Sequence, residues 1–123
     1  MQTNDYVDIS AMESVTIGNN VLIASKVFIS DLNHGSYGTN NIHVSPNTPL
    51  NERKLYSKTV IIEDNVWLCE FVSALSGVTI GRGSIIGANS VVSKSVPPNV
   101  IAVGSPAKPV IKFNFESKCW ERF

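Results

Sequence analysis

Residues 78–92 read VTIGRGSIIGANSVV. Large aliphatic residues recur at Ile80, Ile86 and Val92, a period of six that fits neither the 3.6-residue turn of a helix nor the plain alternation of a strand. Within the repeat, apolar residues also stand two apart, as at Val78 and Ile80, which puts both on one face of a short strand. Between them lie Gly81-Arg82-Gly83 and Gly87-Ala88-Asn89, corners that turn cheaply because Gly and Asn tolerate unusual backbone angles. A short strand, a corner and another strand, repeated, describe a parallel β-helix whose inward side chains stack coil upon coil.

The rhythm extends in both directions. Ten hexads can be aligned: AMESVT, IGNNVL, IASKVF and ISDLNH, then IEDNVW, LCEFVS, ALSGVT, IGRGSI, IGANSV and VSKSVP. Their leading residues are Ala11, Ile17, Ile23, Ile29, Ile62, Leu68, Ala74, Ile80, Ile86 and Val92, and the fifth position is mostly Val or Ser. The register survives a gap at about 31–58, so this stretch reads as a loop let out through a corner and not as a domain boundary. Both histidines, His34 and His43, lie in that loop. The expected organisation is one domain over 1–123, with coils at about 5–30 and 59–98, the loop at 31–58 and a C-terminal tail at 99–123 that caps the last coil.

Composition narrows the function classes. Apolar residues are 43% and charged residues 16% of the 123-residue chain, and ten basic side chains balance ten acidic ones. No Lys/Arg run exists to drive binding by counterion release, so nucleic acid is not an expected partner. The N-terminus MQTNDYVDIS is no signal peptide, and nowhere do some 18 apolar residues run together, so no membrane span is expected and the cytoplasm is the default compartment. Cys69 and Cys119 form no CxxC pair and read as free thiols.

Three stretches carry a resemblance: VTIGNNVLIASKVFISDLNHG, DNVWLCEFV and IGANSVVSKSVPPNVIAVGSPAKPVI. Over about residues 4–111 the chain resembles the hexapeptide-repeat acyltransferases, nearest to the branch with the galactoside, maltose and lipopolysaccharide O-acetyltransferases. The resemblance implies an all-β fold, a left-handed parallel β-helix with three hexads per coil, hence about three coils here; that hand opposes the usual crossover rule. It also implies an acetyl-CoA-dependent O-acetyltransferase acting on a hydroxyl of a sugar or lipopolysaccharide precursor, as a homotrimer with active sites between subunits. Departures are Glu63 and Cys69 where Gly is usual, Ser76 where Pro is common, and Leu32 where a second His often stands. Family members usually carry a helical segment before the first coil, whereas this chain begins almost at the coil, so either the gene is shortened or the open end depends on neighbours for its cap.

The chemistry needs a base to take the hydroxyl proton, and a neutral imidazole suits that at cytoplasmic pH. By match to the family motif, His34 is the base; His43 matches no motif position and reads as an ordinary loop residue. The oxyanion of the tetrahedral intermediate needs a preorganised donor, and the resemblance offers Asn4. It also implies that Ala88 and Ser93 contact the pantetheine arm of coenzyme A, that Lys94 and Lys108 meet its phosphates, and that Trp67 walls the site near the acyl group. Cys69 occupies a corner and is not expected to act as a nucleophile. A three-histidine zinc site, as in γ-class carbonic anhydrases, is excluded by a chain with two histidines, so no metal is expected. The alternative reading is a noncatalytic β-helix scaffold that has kept the repeat.

Overall fold

The computed structural model describes residues 1–38 and 41–123; Thr39 and Asn40, inside the inserted loop, lie outside the described residues. Short strands alternate with corners and stack as three parallel faces. The first face holds β1 (Gln2–Thr3), β4 (Leu22–Ile23), β9 (Trp67–Leu68), β12 (Ile85–Ile86) and β14 (Val100–Gly104). The second holds β2 (Asp8–Ser10), β5 (Phe28–Ser30), β10 (Ser73–Ala74) and β13 (Val91–Val92), and the third β3 (Val15–Ile17), β8 (Val60–Ile62) and β11 (Thr79–Ile80). The architecture is the left-handed parallel β-helix that the resemblance implies.

Each face buries one column of side chains. Ile23, Leu68, Ile86 and Ala102 stack on the first face, Ile29, Ala74 and Val92 on the second, and Ile62, Ile80 and Val96 on the third. All are at most 4% exposed. At roughly 1.5–3 kcal/mol per buried large aliphatic, these columns drive the fold. Val21, Val66, Ser84 and Val100 form a second buried column two residues earlier. Serine enters only where the chain is about to leave the helix: Ser84 Oγ donates to the carbonyl of Pro97 (2.7 Å) and accepts from the N–H of Val100 (3.2 Å), and Ser90 Oγ accepts from the N–H of Gly104 (3.0 Å).

Two expectations are corrected. The second face has four strands, so the repeat makes four coils and not about three. The first coil is also out of step: Ile9, not Ala11, pairs with Ile29. The corner at 11–14 takes up the extra residues, held by a contact distant in sequence: the wholly buried carboxylate of Asp31 accepts the backbone N–H groups of Met12 (2.8 Å), Glu13 (2.7 Å) and Ser14 (2.9 Å). First-coil strands already begin at Gln2, where Gln2 pairs with Leu22.

The corners need left-handed backbone, which costs a side-chain-bearing residue roughly 1–2 kcal/mol and Gly or Asn least. Where the third face turns into the first, Asn20, Asn65, Gly83 and Asn99 occupy it at φ of 57°, 60°, 73° and 60°. Where the first turns into the second, Tyr6, Lys26, Phe71 and Asn89 do so at 57°, 60°, 60° and 63°.

The tail does two jobs. Val96, Val100, Ala102 and Ala107 are buried in the core cluster and close the last coil. Beyond them β15 (Ala107–Asn114) runs antiparallel to β14, and β16 (Cys119–Arg122) antiparallel to β15, which widens the first face. The segment ESKCWERF is therefore turn and strand. Phe113 meets Phe115 and Trp120 edge to face at centroid distances of 4.8 and 5.2 Å, while Phe115 and Phe123 stay about two-thirds exposed. The closing of the core falls to 96–107 and not to these aromatics.

Candidate active site

The loop leaves the second face after Ser30 and returns to the third at Val60. Its root is a two-stranded antiparallel ribbon, β6 (Leu32–His34) with β7 (Leu55–Ser57), in the register Leu32↔Ser57, Asn33↔Tyr56 and His34↔Leu55. Asp31 anchors it twice. Its side chain binds the coil below, and its carbonyl accepts the N–H of Lys58 (3.0 Å) across the mouth of the loop.

His34 ends β6, exposed, beside a hollow lined with Leu50 and Asn51. Its backbone is fixed on the far side: the carbonyl accepts the hydroxyl of Tyr37 at 2.5 Å, and that hydroxyl accepts Arg53 Nη1 at 2.7 Å. The same guanidinium donates to the carbonyls of Thr48 (3.1 Å) and Pro46 (3.3 Å), so one side chain ties three points of the loop. Gly35, at φ 97°, makes room: a Cβ there would lie 2.8 Å from the Tyr37 hydroxyl. Strand alternation turns Asn33 to the opposite side from His34, toward a second hollow lined with Tyr37, Ile42, Tyr56 and Lys58. His43 forms a bridge with Tyr37 within the inserted loop.

The other expected residues divide between two edges of the prism. Asn4 and Ala88 lie at the corners between the first and second faces, in the first and last coils, and Lys108, paired with Val103, sits above the same edge. The N–H of Asn4 donates to the carbonyl of Ile23 (2.9 Å), leaving its exposed amide outside the ladder. Ser93 and Lys94 lie on the edge between the second and third faces, the edge from which the His34 loop departs. Trp67 is on the outer side of the first face, 42% exposed, between Leu22 and Ile85. Within one chain the breadth of the second face separates Asn4 from His34, so the pair is not brought together.

Cys69 is half-buried at the first-to-second corner of the third coil, and burial, then the charge of Glu70, push its thiol above the ordinary value. That opposes a thiolate nucleophile. Among the described residues, no group of three or more His, Cys, Asp or Glu is placed to hold a metal, and no helix is long and apolar enough to cross a membrane. Asp31, Tyr37 and Arg53 are the site residues that sequence reasoning missed. The Asp three residues before His34 was the available signal, but its partners at 12–14 are visible only in the fold.

The family model described as bacterial transferase hexapeptide (six repeats) matches residues 59–94. The chain is 52% identical over 122 residues to the "Putative lipopolysaccharide biosynthesis O-acetyl transferase WbbJ" of Escherichia coli (strain K12), covering 99% of this chain and 62% of that protein. It thus spans under two-thirds of that relative's length. Among solved structures it is similar to a galactoside acetyltransferase in complex with coenzyme A (TM-score 0.73, 30% identity, 95% of this chain and 67% of that one). It is also similar to a hexapeptide-repeat acetyltransferase from Vibrio cholerae complexed with acetyl coenzyme A (TM-score 0.67, 26% identity, 87% and 60%).

Proposed function

The chain belongs to the hexapeptide-repeat acyltransferase family, and from that premise we propose that residues 1–123 act as one domain transferring acetyl from acetyl-CoA to a hydroxyl of a sugar or lipopolysaccharide precursor. The observation that carries this reading is the placement of His34, exposed at the end of a ribbon whose root is fixed by Asp31 below and by Tyr37 and Arg53 beside it. A base held on rigid elements is what proton abstraction requires.

In the proposed reaction His34 takes the proton of the acceptor hydroxyl as its oxygen attacks the thioester carbonyl. The amide of Asn4 donates to the oxyanion. Collapse of the tetrahedral intermediate breaks the carbon–sulfur bond, and the departing sulfur of coenzyme A receives the proton from the imidazolium. Trp67 walls the acyl group, Ala88 and Ser93 line the pantetheine arm, and Lys94 and Lys108 meet the phosphates. Because one chain holds Asn4 and His34 on separate edges, the reading requires a homotrimer that sets the edge of one subunit against the next, working in the cytoplasm.

The test is transfer of isotopically labelled acetyl from acetyl-CoA to a panel of sugars and lipopolysaccharide-derived oligosaccharides, read by mass spectrometry. A labelled O-acetyl sugar supports the reading. A purified, folded protein that labels none of them and gains no thermal stability from acetyl-CoA contradicts it.

A further inference from the structure

We propose that the β15–β16 ribbon is a peripheral membrane contact. Its aromatic cluster, Phe113, Phe115 and Trp120, enters the surface of a bilayer with anionic headgroups, and Lys112, Lys118 and Arg122 meet those headgroups. The chain then lies on the membrane without crossing it. The proposal does not depend on acetyl transfer, and its test needs neither acetyl-CoA nor a sugar.

The ribbon stands apart from the candidate site. β14 leads away from the corner between the third and first faces, and β15 brings the chain back to it: the N–H of Phe113 donates to the carbonyl of the corner residue Asn99 at 2.9 Å. The turn at 115–118 therefore lies at or beyond that edge. The site uses the other two edges, with Asn4 and Ala88 on one and His34 on the other, and Trp67 lies three strands from β15 across the first face. A trimer that joins those two edges turns the second face toward its axis and leaves the third-to-first edge outermost. Its rotational symmetry sets three ribbons at one level, so a single membrane can engage all of them.

Composition separates the ribbon from the body of the chain. Residues 108–123 hold four of the ten aromatic side chains, with four basic side chains against two acidic; residues 1–107 hold six basic against eight acidic. Directly paired residues share a side of a ribbon, so Phe113 with Trp120 and Ile111 with Arg122 stand together. They continue the row of Ile101, which points away from the core. Phe115 joins them through its edge-to-face contact with Phe113, yet it is 67% exposed and Trp120 40%. Lys112 holds its ammonium 5.6 Å from the Phe123 ring centroid, and Lys118 is exposed in the turn. The core closes at 96–107 without these rings, and a clustered apolar surface that folding does not use marks a contact.

The chemistry favours lipid. Trp and Phe beside Lys and Arg suit the boundary of a bilayer, where rings enter at headgroup level and cations meet lipid phosphates. Both ring contacts have interplanar angles of 72°, which leaves no parallel platforms for successive bases, and Glu116 and Glu121 interrupt any track of cations; single-stranded nucleic acid is disfavoured on both counts. Addition of a protein strand to the free edge of β16 is opposed by its four-residue length and by the charges of Glu121 and Arg122.

The experiment uses the whole chain in its native assembly, sedimented with vesicles of phosphatidylcholine alone or mixed equally with phosphatidylglycerol. Wild type is compared with Phe115→Ser, Trp120→Ser and Lys118→Gln, and oligomer mass is recorded for each. We expect binding to the anionic vesicles and weaker binding to the neutral ones. Each aromatic variant should lower partitioning by roughly 5- to 10-fold, and Lys118→Gln should lower it by roughly 3- to 5-fold on anionic vesicles alone, with mass unchanged. Tryptophan emission should shift to shorter wavelength on anionic vesicles and be quenched by brominated lipid, and Trp120→Phe should abolish both effects. Wild type that sediments with neither vesicle, or equally with both, overturns the proposal. So do aromatic variants that bind like wild type, emission unmoved by lipid, tighter binding to a single-stranded oligonucleotide than to anionic vesicles, or a changed oligomer mass in Phe115→Ser, which would assign the ribbon to a second copy.

Discussion

Asp31 and Lys58, at opposite ends of the loop that carries His34, are joined by a hydrogen bond of 3.0 Å from the Lys58 N–H to the Asp31 carbonyl. The same aspartate has its carboxylate buried beneath three backbone N–H groups of the first coil. The bond from Met12, with those from Glu13 and Ser14, outweighs the loss of hydration and holds this carboxyl below the ordinary value of 3.8. A group of lowered folded pKa contributes its stability in full above the unfolded value and loses it as pH falls through the folded one. Stability should therefore decline as pH drops below about 4, and Asp31→Asn should lower Tm at pH 7 while flattening that acid limb. Thermal melts from pH 7 to pH 2 check this; parallel acid limbs in variant and wild type would contradict it.

The stacked columns predict that truncation at mid-helix costs more than in the first coil, where Ile9 is less buried. Leu68 and Ile80 are both fully buried between coils, so Leu68→Ala and Ile80→Ala should each destabilise by about 2–5 kcal/mol. Ile9, paired with Ile29 but 40% exposed, should cost less on the same change. Urea titrations at constant m-value give the comparison.

Gly81 lies against the closing segment: a Cβ there would fall 2.4 Å from the nitrogen of Pro98 and 2.7 Å from the carbonyl carbon of Pro97. Both obstacles are backbone, so Gly81→Ala should destabilise by about 1–3 kcal/mol. Hydrogen exchange should localise the damage to 96–107, with the middle coils protected as before.

Much of this fold was legible because the repeat is a direct print of the packing. Two-apart aliphatics at Val60 and Ile62 or Val78 and Ile80 fall in the core as their spacing requires. The errors arise where distant residues decide. The first coil starts its column at Ile9 and not Ala11 because Asp31 supports a longer corner. ESKCWERF, whose local pattern leaves strand and helical turn both open, is strand from Cys119 because β15 offers it an edge, as Lys112 pairs with Glu121. The site was legible only as a set of positions. That Asn4 and His34 occupy separate edges depends on which face each corner joins, and local sequence does not encode that.

Cys69 tests the rejected nucleophile. With its thiol pushed up by burial and by Glu70, alkylation at pH 7 should be slow and should accelerate as pH rises. Cys69→Ala should retain acetyl transfer within about 2-fold, since a side chain that forms no covalent intermediate is dispensable to the chemistry. A collapse of turnover in this variant, with its fold intact, would restore the covalent route.

The most direct test of the central claim is the rate of free coenzyme A release from acetyl-CoA in the presence of an accepting sugar, compared between wild type and His34→Ala. The general-base account predicts a fall of roughly 10²-fold or more, with acetyl-CoA still raising Tm because the donor site is untouched. Unchanged turnover in His34→Ala would contradict it.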